Sequence, residues 1–138
     1  MKTRKAANDM SNMYRDVKDF HIAFGQRVSH KPELPDEDER HLRKTLLQEE
    51  FNEYVQAERD DDIVEIADAL ADIIYIACGT AVSYGIPLDK VFNEVHRSNM
   101  AKLVDGKPIY RDDGKVLKPE GWTPPDIERI LEQETFKW

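Results

Sequence analysis

The chain contains very little cysteine, with the single residue Cys78 among 138. One thiol cannot form an internal disulfide, and it cannot build a thiolate metal site, which needs several cysteines. Cys78 ends the apolar run Ile73–Cys78, which predicts a small side chain buried in the core. Disulfide scaffolds and thiolate metal sites are therefore excluded.

Long apolar runs and an excess of basic charge are also missing. No stretch approaches the roughly 20 apolar residues of a membrane-spanning helix, and no apolar segment follows the basic Met1–Asn8. The 28 acidic residues exceed the 20 basic ones, for a net charge of -8, so the chain has no overall positive field to attract a nucleic-acid backbone. We therefore expect a cytoplasmic protein that binds neither membranes nor nucleic acid.

Apolar residues recur at three- and four-residue steps along most of the chain, which is the period of amphipathic helices. In the first helix this stripe consists of Met10, Met13, Tyr14, Val17, Phe20 and Phe24. The predicted helices run from about Asp9 to Gln26, from a cap at Asp36 to Arg59, from Ile63 to Gly85, and from Leu88 to Leu103. Four helices with short connections predict an all-α four-helix bundle over about residues 9–103.

The segment beyond Leu103 has a different pattern. Asp105-Gly106 and Asp112-Asp113-Gly114 are turn signals beside short apolar pairs, which predicts an irregular or hairpin extension over about residues 104–138. The stretch Thr123–Asp126 contains two prolines and suits the start of a last short helix, because proline fits the first helical turn. The length of the whole chain, residues 1–138, is typical of a single domain.

Acidic residues interrupt the inward-facing stripes of two consecutive helices. They are Glu49, Glu50 and Glu53 on the second helix, and Glu65, Asp68 and Asp72 on the third. Carboxylates that converge in a bundle repel one another and raise one another's pKa unless a cation neutralises them. Because oxygen ligands suit Mg²⁺ and Mn²⁺, the pattern predicts a site for one of these ions.

Two other interpretations of these acids compete with a magnesium site. A solvated acidic face is common on helices of charged proteins, but acids on a core-facing stripe cost several kcal/mol of desolvation unless they are compensated. A ferritin-like di-iron site needs Glu-x-x-His motifs, and no histidine of this chain lies three residues after a glutamate. Redox iron chemistry is therefore disfavoured.

The run Glu49-Glu50-Phe51-Asn52-Glu53 resembles the Glu-Glu-x-x-Glu motif of the MazG-like and phosphoribosyl-ATP pyrophosphohydrolase superfamily, which consists of all-α NTP pyrophosphohydrolases. The superfamily's Glu-x-x-Asp motif is matched by Glu65–Asp68, whereas the apolar run and tyrosine that follow its aspartate are matched better by Asp72–Tyr75. Asn99–Lys102 is similar to the Asn-x-x-Lys element near the phosphates. The resemblance covers about Leu42–Lys102.

The resemblance implies a magnesium-dependent enzyme that hydrolyses an NTP or dNTP to the monophosphate and pyrophosphate, with nucleotide-pool house-cleaning as its role. The implied metal ligands are Glu50, Glu53, Asp68 and Asp72, with Glu65 as the alternative partner of Asp68; Glu49 is the base or a secondary ligand, and Asn99 and Lys102 bind the phosphates. A homodimer or homotetramer is also implied. The alternatives are hydrolysis of phosphoribosyl-ATP and a non-catalytic, acidic helical module that binds a basic partner.

Overall fold

The computed structural model describes residues 9–135. Its helices are α1 (Asp9–Ala23), α2 (Glu37–Arg59), α3 (Ile63–Tyr84), α4 (Leu88–Met100) and α5 (Ile127–Thr135). The all-α prediction is confirmed. Within the part of the chain that is described, none of these helices combines the length and apolarity that crossing a bilayer requires. The chain divides into two compact units, residues 1–88 and 89–138, and each is described by itself.

Short polar side chains and one glycine set the ends of the two long helices. Asp36 caps α2 by accepting a hydrogen bond from the backbone N–H of Glu39 at 2.9 Å, and Asp62 caps α3 through the N–H groups of Val64 and Glu65. Gly85 ends α3 with φ 72°, a left-handed conformation in which a side chain would be strained. These boundaries agree with the sequence prediction.

The predictions were wrong for the ends of α1 and α4, which stop three residues early. The N–H of Gln26 bonds to the carbonyl of His21 at 2.8 Å around Gly25, whose φ is 68°, so the chain leaves α1 after Ala23. After Met100, the Lys102 N–H reaches back only to the carbonyl of Asn99. This tighter spacing of three residues closes the helix.

In the first unit, α3 packs against both α1 and α2. The core between α1 and α3 is small and consists of Val17, Cys78 and Val82, which are at most 2% exposed. The predicted stripe of α1 is only partly buried, because Met13 and Phe24 are 43% and 69% exposed. Cys78 is fully buried, as its apolar neighbours predict.

A buried arginine joins α2 to α3. Arg43 is 5% exposed, and its guanidinium donates from Nε to Thr80 Oγ1 at 3.1 Å and from Nη2 to the carbonyl of Ile76 at 3.0 Å. Burial lowers the pKa of Arg43, while the charge of Glu39 acts in the opposite direction. The guanidinium occupies space that a side chain at Gly79 would fill, since a Cβ built there lies 2.4 Å from Nη2.

In the second unit, a glutamate of α4 holds the start of α5. The carboxylate of Glu94 accepts hydrogen bonds from Arg97 Nε at 2.6 Å and from the Asp126 N–H at 2.7 Å. The bond from Arg97 is the main reason that the pKa of Glu94 falls to about 2, and the bond from Asp126 adds to it. Between the helices the chain forms turns with two isolated bridges, Val104 with Lys107 and Tyr110 with Val116, as expected of an irregular extension.

The contact between Arg43 and Gly79 predicts an unusual response to alanine. Gly79→Ala should gain about 1 kcal/mol of helix propensity, but it displaces a buried charged donor whose hydrogen bond contributes about 1.5–3 kcal/mol. We expect a net loss of unfolding free energy in urea titrations. In an Arg43→Met background the same change should become neutral or stabilising, and a loss of equal size in both backgrounds would contradict the proposed contact.

Candidate metal centre

α2 and α3 form an antiparallel helical pair whose alignment follows from their connection. Only residues 60–62 separate the two helices. Residues that lie at similar distances from this turn in the sequence therefore contact each other across the helix pair. Glu50 lies beside Asp72, and Arg43, two turns earlier on α2, bonds to Ile76 and Thr80, further along α3. Residues spaced at three to four positions on each helix therefore face the partner helix.

Three carboxylates converge on this interface. Glu50, Glu53 and Asp72 each offer an oxygen, and these oxygens lie within 4.8 Å of one another. Glu50 and Asp72 are partly buried, whereas Glu53 is exposed. Oε2 of Glu50 is the buried side-chain oxygen or nitrogen among the described residues that has no hydrogen-bond partner. Burying an unpartnered carboxylate oxygen destabilises the folded chain.

The electrostatics show how unfavourable the cluster is without a counter-charge. Burial raises the pKa of Glu50 from its ordinary 4.5 to about 7, and the negative charges of Asp72 and Glu53 add to the increase. Burial also raises the pKa of Asp72, followed by the charges of Asp68 and Glu53. Glu50 and Asp72 therefore resist ionisation as long as no cation lies between the carboxylates.

The donor set fits a small divalent cation. All three residues supply carboxylate oxygens, which Mg²⁺ and Mn²⁺ accept readily, and the unpartnered Glu50 oxygen gives such an ion an available ligand. Three carboxylates also leave room in an octahedral shell for phosphate oxygens or water. The geometry thus supports a site for a divalent metal ion.

The remaining acids of the predicted site lie around this cluster. Asp68 is near enough for its charge to act on Asp72. Glu65 lines a hollow of about 180 Å³ that it shares with Glu53 of the cluster and with Gln56, Ala57 and Asp60. Glu49 is exposed and is not part of the group formed by Glu50, Glu53 and Asp72. Among these alternatives, the geometry brings Asp72 to the two glutamates of α2.

The residues predicted to bind phosphate lie in the second unit, where they form their own polar group. Lys102 Nζ donates to Asn99 Oδ1 at 3.0 Å. The ammonium groups of Lys102 and Lys118 lie 5.8 and 4.7 Å from the ring centroid of Trp122, whose Nε1 donates to the carbonyl of Ser98 at 2.6 Å. Two cations and an oriented amide thus gather at one aromatic ring.

The sequence interpretation missed Arg43, which lies seven residues before Glu50 on the same side of α2. The neighbouring apolar residue, Leu42, is 47% exposed, and Arg43 takes the buried position. The available signal was Gly79, because a glycine in a helix interior costs about 1 kcal/mol relative to alanine and indicates a close approach. The hydrogen bonds of Arg43 to Thr80 and Ile76 do not involve the cluster, but they join the two helices that carry the cluster.

The raised pKa of Glu50 predicts how stability depends on pH and metal. A carboxyl whose folded pKa exceeds its unfolded value contributes most stability below pH 4.5 and loses it as the pH rises through about 7. Without divalent ions, the melting temperature should therefore fall between pH 5 and pH 8. Mg²⁺ should raise it, and more strongly at pH 8, because protons then no longer compete for the ligands.

Two variants separate this effect from general charge effects. Glu53→Gln should raise the metal-free melting temperature at pH 8, since one repelling charge is gone, and should weaken the Mg²⁺-dependent increase. Glu58→Gln, on the same helix but bonded to Tyr54, serves as the control and should retain the full increase. An equal response to Mg²⁺ in Glu53→Gln and wild type would remove Glu53 from the site.

Comparison with known proteins shows the family of the chain. The model of the family described as "Phosphoribosyl-ATP pyrophosphohydrolase" matches residues 17–99, more than half of the chain, including both acidic motifs. "Uncharacterized protein L479" of Acanthamoeba polyphaga mimivirus is 33% identical over 88 residues, 59% of this chain. The chain spans about a third of the length of that relative, 34%. The chain belongs to the phosphoribosyl-ATP pyrophosphohydrolase family, within the MazG-like superfamily of all-helical NTP pyrophosphohydrolases.

Proposed function

We propose that the protein is a divalent-metal-dependent pyrophosphohydrolase that cleaves an NTP or dNTP between the α- and β-phosphates and thereby cleans the nucleotide pool of the cytoplasm. The observation that carries this proposal is the convergence of Glu50, Glu53 and Asp72 on the α2–α3 interface. A triphosphate brings several negative charges, which an acidic site tolerates only through bridging cations. The carboxylates therefore suit a metal-complexed nucleotide better than a free anion.

We propose the following roles for the chain's own residues. Glu50, Glu53 and Asp72 would hold Mg²⁺, with Asp68 as a further acid beside them, and the ion would withdraw charge from the phosphoryl oxygens and make water a better nucleophile. For Glu49, which is exposed and precedes Glu50 in the sequence, we propose the role of a base that accepts a proton from the attacking water, or of a secondary ligand. For the phosphates we propose Asn99 and Lys102, with Lys102 as a point charge, because Asn99–Lys102 resembles the family's Asn-x-x-Lys element.

Phosphoribosyl-ATP is the second candidate substrate, because the matching family carries that name. It presents the same bond to the same acids, namely the anhydride between the α- and β-phosphates. The irregular extension between α4 and α5 lies beyond the matched residues 17–99, and we take it as favouring a different substrate. A third possibility, an acidic helical module without activity, predicts that neither compound is hydrolysed.

We further propose that a second copy of the chain covers part of the α2–α3 pair. Leu47 and Phe51 are 40% and 51% exposed, and with Ile73 they line an open groove of about 590 Å³ that Lys44 and Gln48 border. An apolar groove of this kind on a soluble monomer favours burial against a partner. Because the groove lies on the same two helices as the acidic cluster, pairing through it would also stabilise the site.

Hydrolysis itself can be tested on a panel of dNTPs and NTPs with phosphoribosyl-ATP included. We expect Mg²⁺-dependent release of pyrophosphate from a triphosphate, with loss of activity in EDTA. Asp72→Asn should lower kcat/KM by more than the roughly 10–100-fold typical of an outer-shell partner, whereas Glu65→Gln should retain most activity.

Each other outcome has a defined meaning. If Glu65→Gln is inactive and Asp72→Asn active, the metal pair on α3 is Glu65 with Asp68. Hydrolysis of phosphoribosyl-ATP alone would establish the second candidate, and no hydrolysis of any compound would exclude an enzyme of this class.

The proposed assembly predicts a multiple of the monomer mass in light scattering coupled to gel filtration. Phe51→Glu places a charge in the apolar groove and should shift the protein toward monomer. Phe24→Glu is the matched control, because Phe24 is also exposed but does not line this groove. A monomeric wild type, or dissociation by both variants alike, would exclude this interface.

A further inference from the structure

A second groove lies between α1 and α3, on the other side of α3 from the groove that Phe51 lines. It measures about 250 Å³ and is lined by Met13, Asp16, Val17, Ala71, Ile74, Tyr75 and Cys78. Its base is formed by Val17 and Cys78, which are 2% and 0% exposed, and Met13 and Tyr75 border its opening at 43% and 40% exposure. The proposed chemistry at the carboxylates does not use this groove.

The groove has a size and a lining that suit a flat ring. Its volume is below the roughly 300–1,000 Å³ of pockets that enclose drug-sized ligands, so it accommodates one ring system and not an entire nucleotide. Its walls are almost entirely apolar. The Tyr75 ring is held in place by an edge-to-face contact with Phe20, with centroids 5.7 Å apart and planes at 82°, and Met13 supplies a polarisable thioether that packs well against aromatic faces.

One charged side chain interrupts this apolar lining. Among the described residues that line the groove, Asp16 alone is charged. Its carboxylate forms no hydrogen bond or ion pair with another residue of the range 9–135. Asp16 lies near enough to Tyr75 for its charge to act on the phenol. The groove therefore offers a carboxylate acceptor beside a hydroxyl group that can donate.

The groove and the acidic cluster share α3 as their common wall. Ala71 lines the groove and the next residue, Asp72, belongs to the cluster, and successive residues on an α-helix are turned by about 100°. The groove thus faces α1 while the cluster faces α2, on adjoining sides of one helix. A ligand that contacts both the cluster and the groove would run around one side of α3.

We propose that this groove receives the base of the nucleotide substrate and that Asp16 selects bases with an exocyclic amino group. The inference rests on the proposed triphosphate hydrolysis. A carboxylate accepts a hydrogen bond from the amino group of cytosine, and the Tyr75 hydroxyl can donate to the adjacent ring nitrogen. Uracil has a carbonyl oxygen in place of that amino group, so it turns an acceptor toward the negative charge of Asp16. Asp16 is in this view a specificity-determining residue.

The decisive comparison uses dCTP and dUTP, which differ at this position of the ring. A site that hydrogen-bonds a substrate group discriminates strongly against an analogue that lacks it, and we expect wild-type kcat/KM to favour dCTP by on the order of 10- to 100-fold. Asp16→Asn should bring the two values to within about threefold, since the amide can both donate and accept. Asp19→Asn changes a neighbouring carboxylate of α1 that does not line the groove and should keep the preference.

Binding of nucleosides without metal separates this inference from the proposed hydrolysis. In ligand-observed NMR, deoxycytidine should bind more tightly than deoxyuridine, with Asp16→Asn abolishing the difference. Ala71→Leu alters an exposed position and should weaken both nucleosides by narrowing the groove, while the Mg²⁺-dependent melting shift stays intact.

These measurements distinguish failure of the base site from failure of the proposed hydrolysis. If deoxycytidine binds selectively but no triphosphate is hydrolysed, the base site stands and the proposed reaction fails. If triphosphates are hydrolysed with equal kcat/KM for dCTP and dUTP, or if Asp16→Asn keeps a preference for dCTP, Asp16 does not select the base.

Discussion

The antiparallel alignment of α2 and α3 is the constraint on which the first unit depends. Asp62 starts α3 directly after the short turn, and the Arg43 guanidinium fastens the far part of the pair through Thr80 and the carbonyl of Ile76. A buried guanidinium that loses its acceptors costs several kcal/mol, so sliding of one helix along the other is strongly opposed. Gly79 makes room for this contact at the expense of helix propensity.

That alignment brings like charges together at the acidic cluster, where they repel one another. The carboxylates of Glu50, Glu53 and Asp72 are brought together. Burial and the neighbouring charges raise the pKa of Glu50, because they disfavour its ionised form. Local rules for stability are typically violated at functional sites and compensated by a ligand or by the rest of the fold. Here α3 carries one side of the cluster and, on its adjoining face, one wall of the groove beside Asp16.

Much of the helical architecture could be predicted from the sequence, because it depends on neighbours within a few positions. The three- and four-residue period defines the helices, and the caps at Asp36 and Asp62 and the stop at Gly85 act through adjacent backbone groups. The acidic motifs were equally visible, since their spacing along one helix decides which side chains share a face. The ends of α1 and α4 were less predictable, because apolar residues continue beyond the last helical hydrogen bond.

The sequence by itself determined the helices, the acidic character of the site and the resemblance to a family. Tertiary structure alone decided which acids meet: Asp72 lies with both Glu50 and Glu53, whereas Glu65 shares a hollow with Glu53 but not with Glu50 or Asp72. It also decided that Arg43 is buried while its neighbour Leu42 is exposed, and that Asp16 borders a groove. The physical reason is that periodicity defines faces within one helix, while the rotation and sliding of one helix against another depend on side chains distant in the sequence.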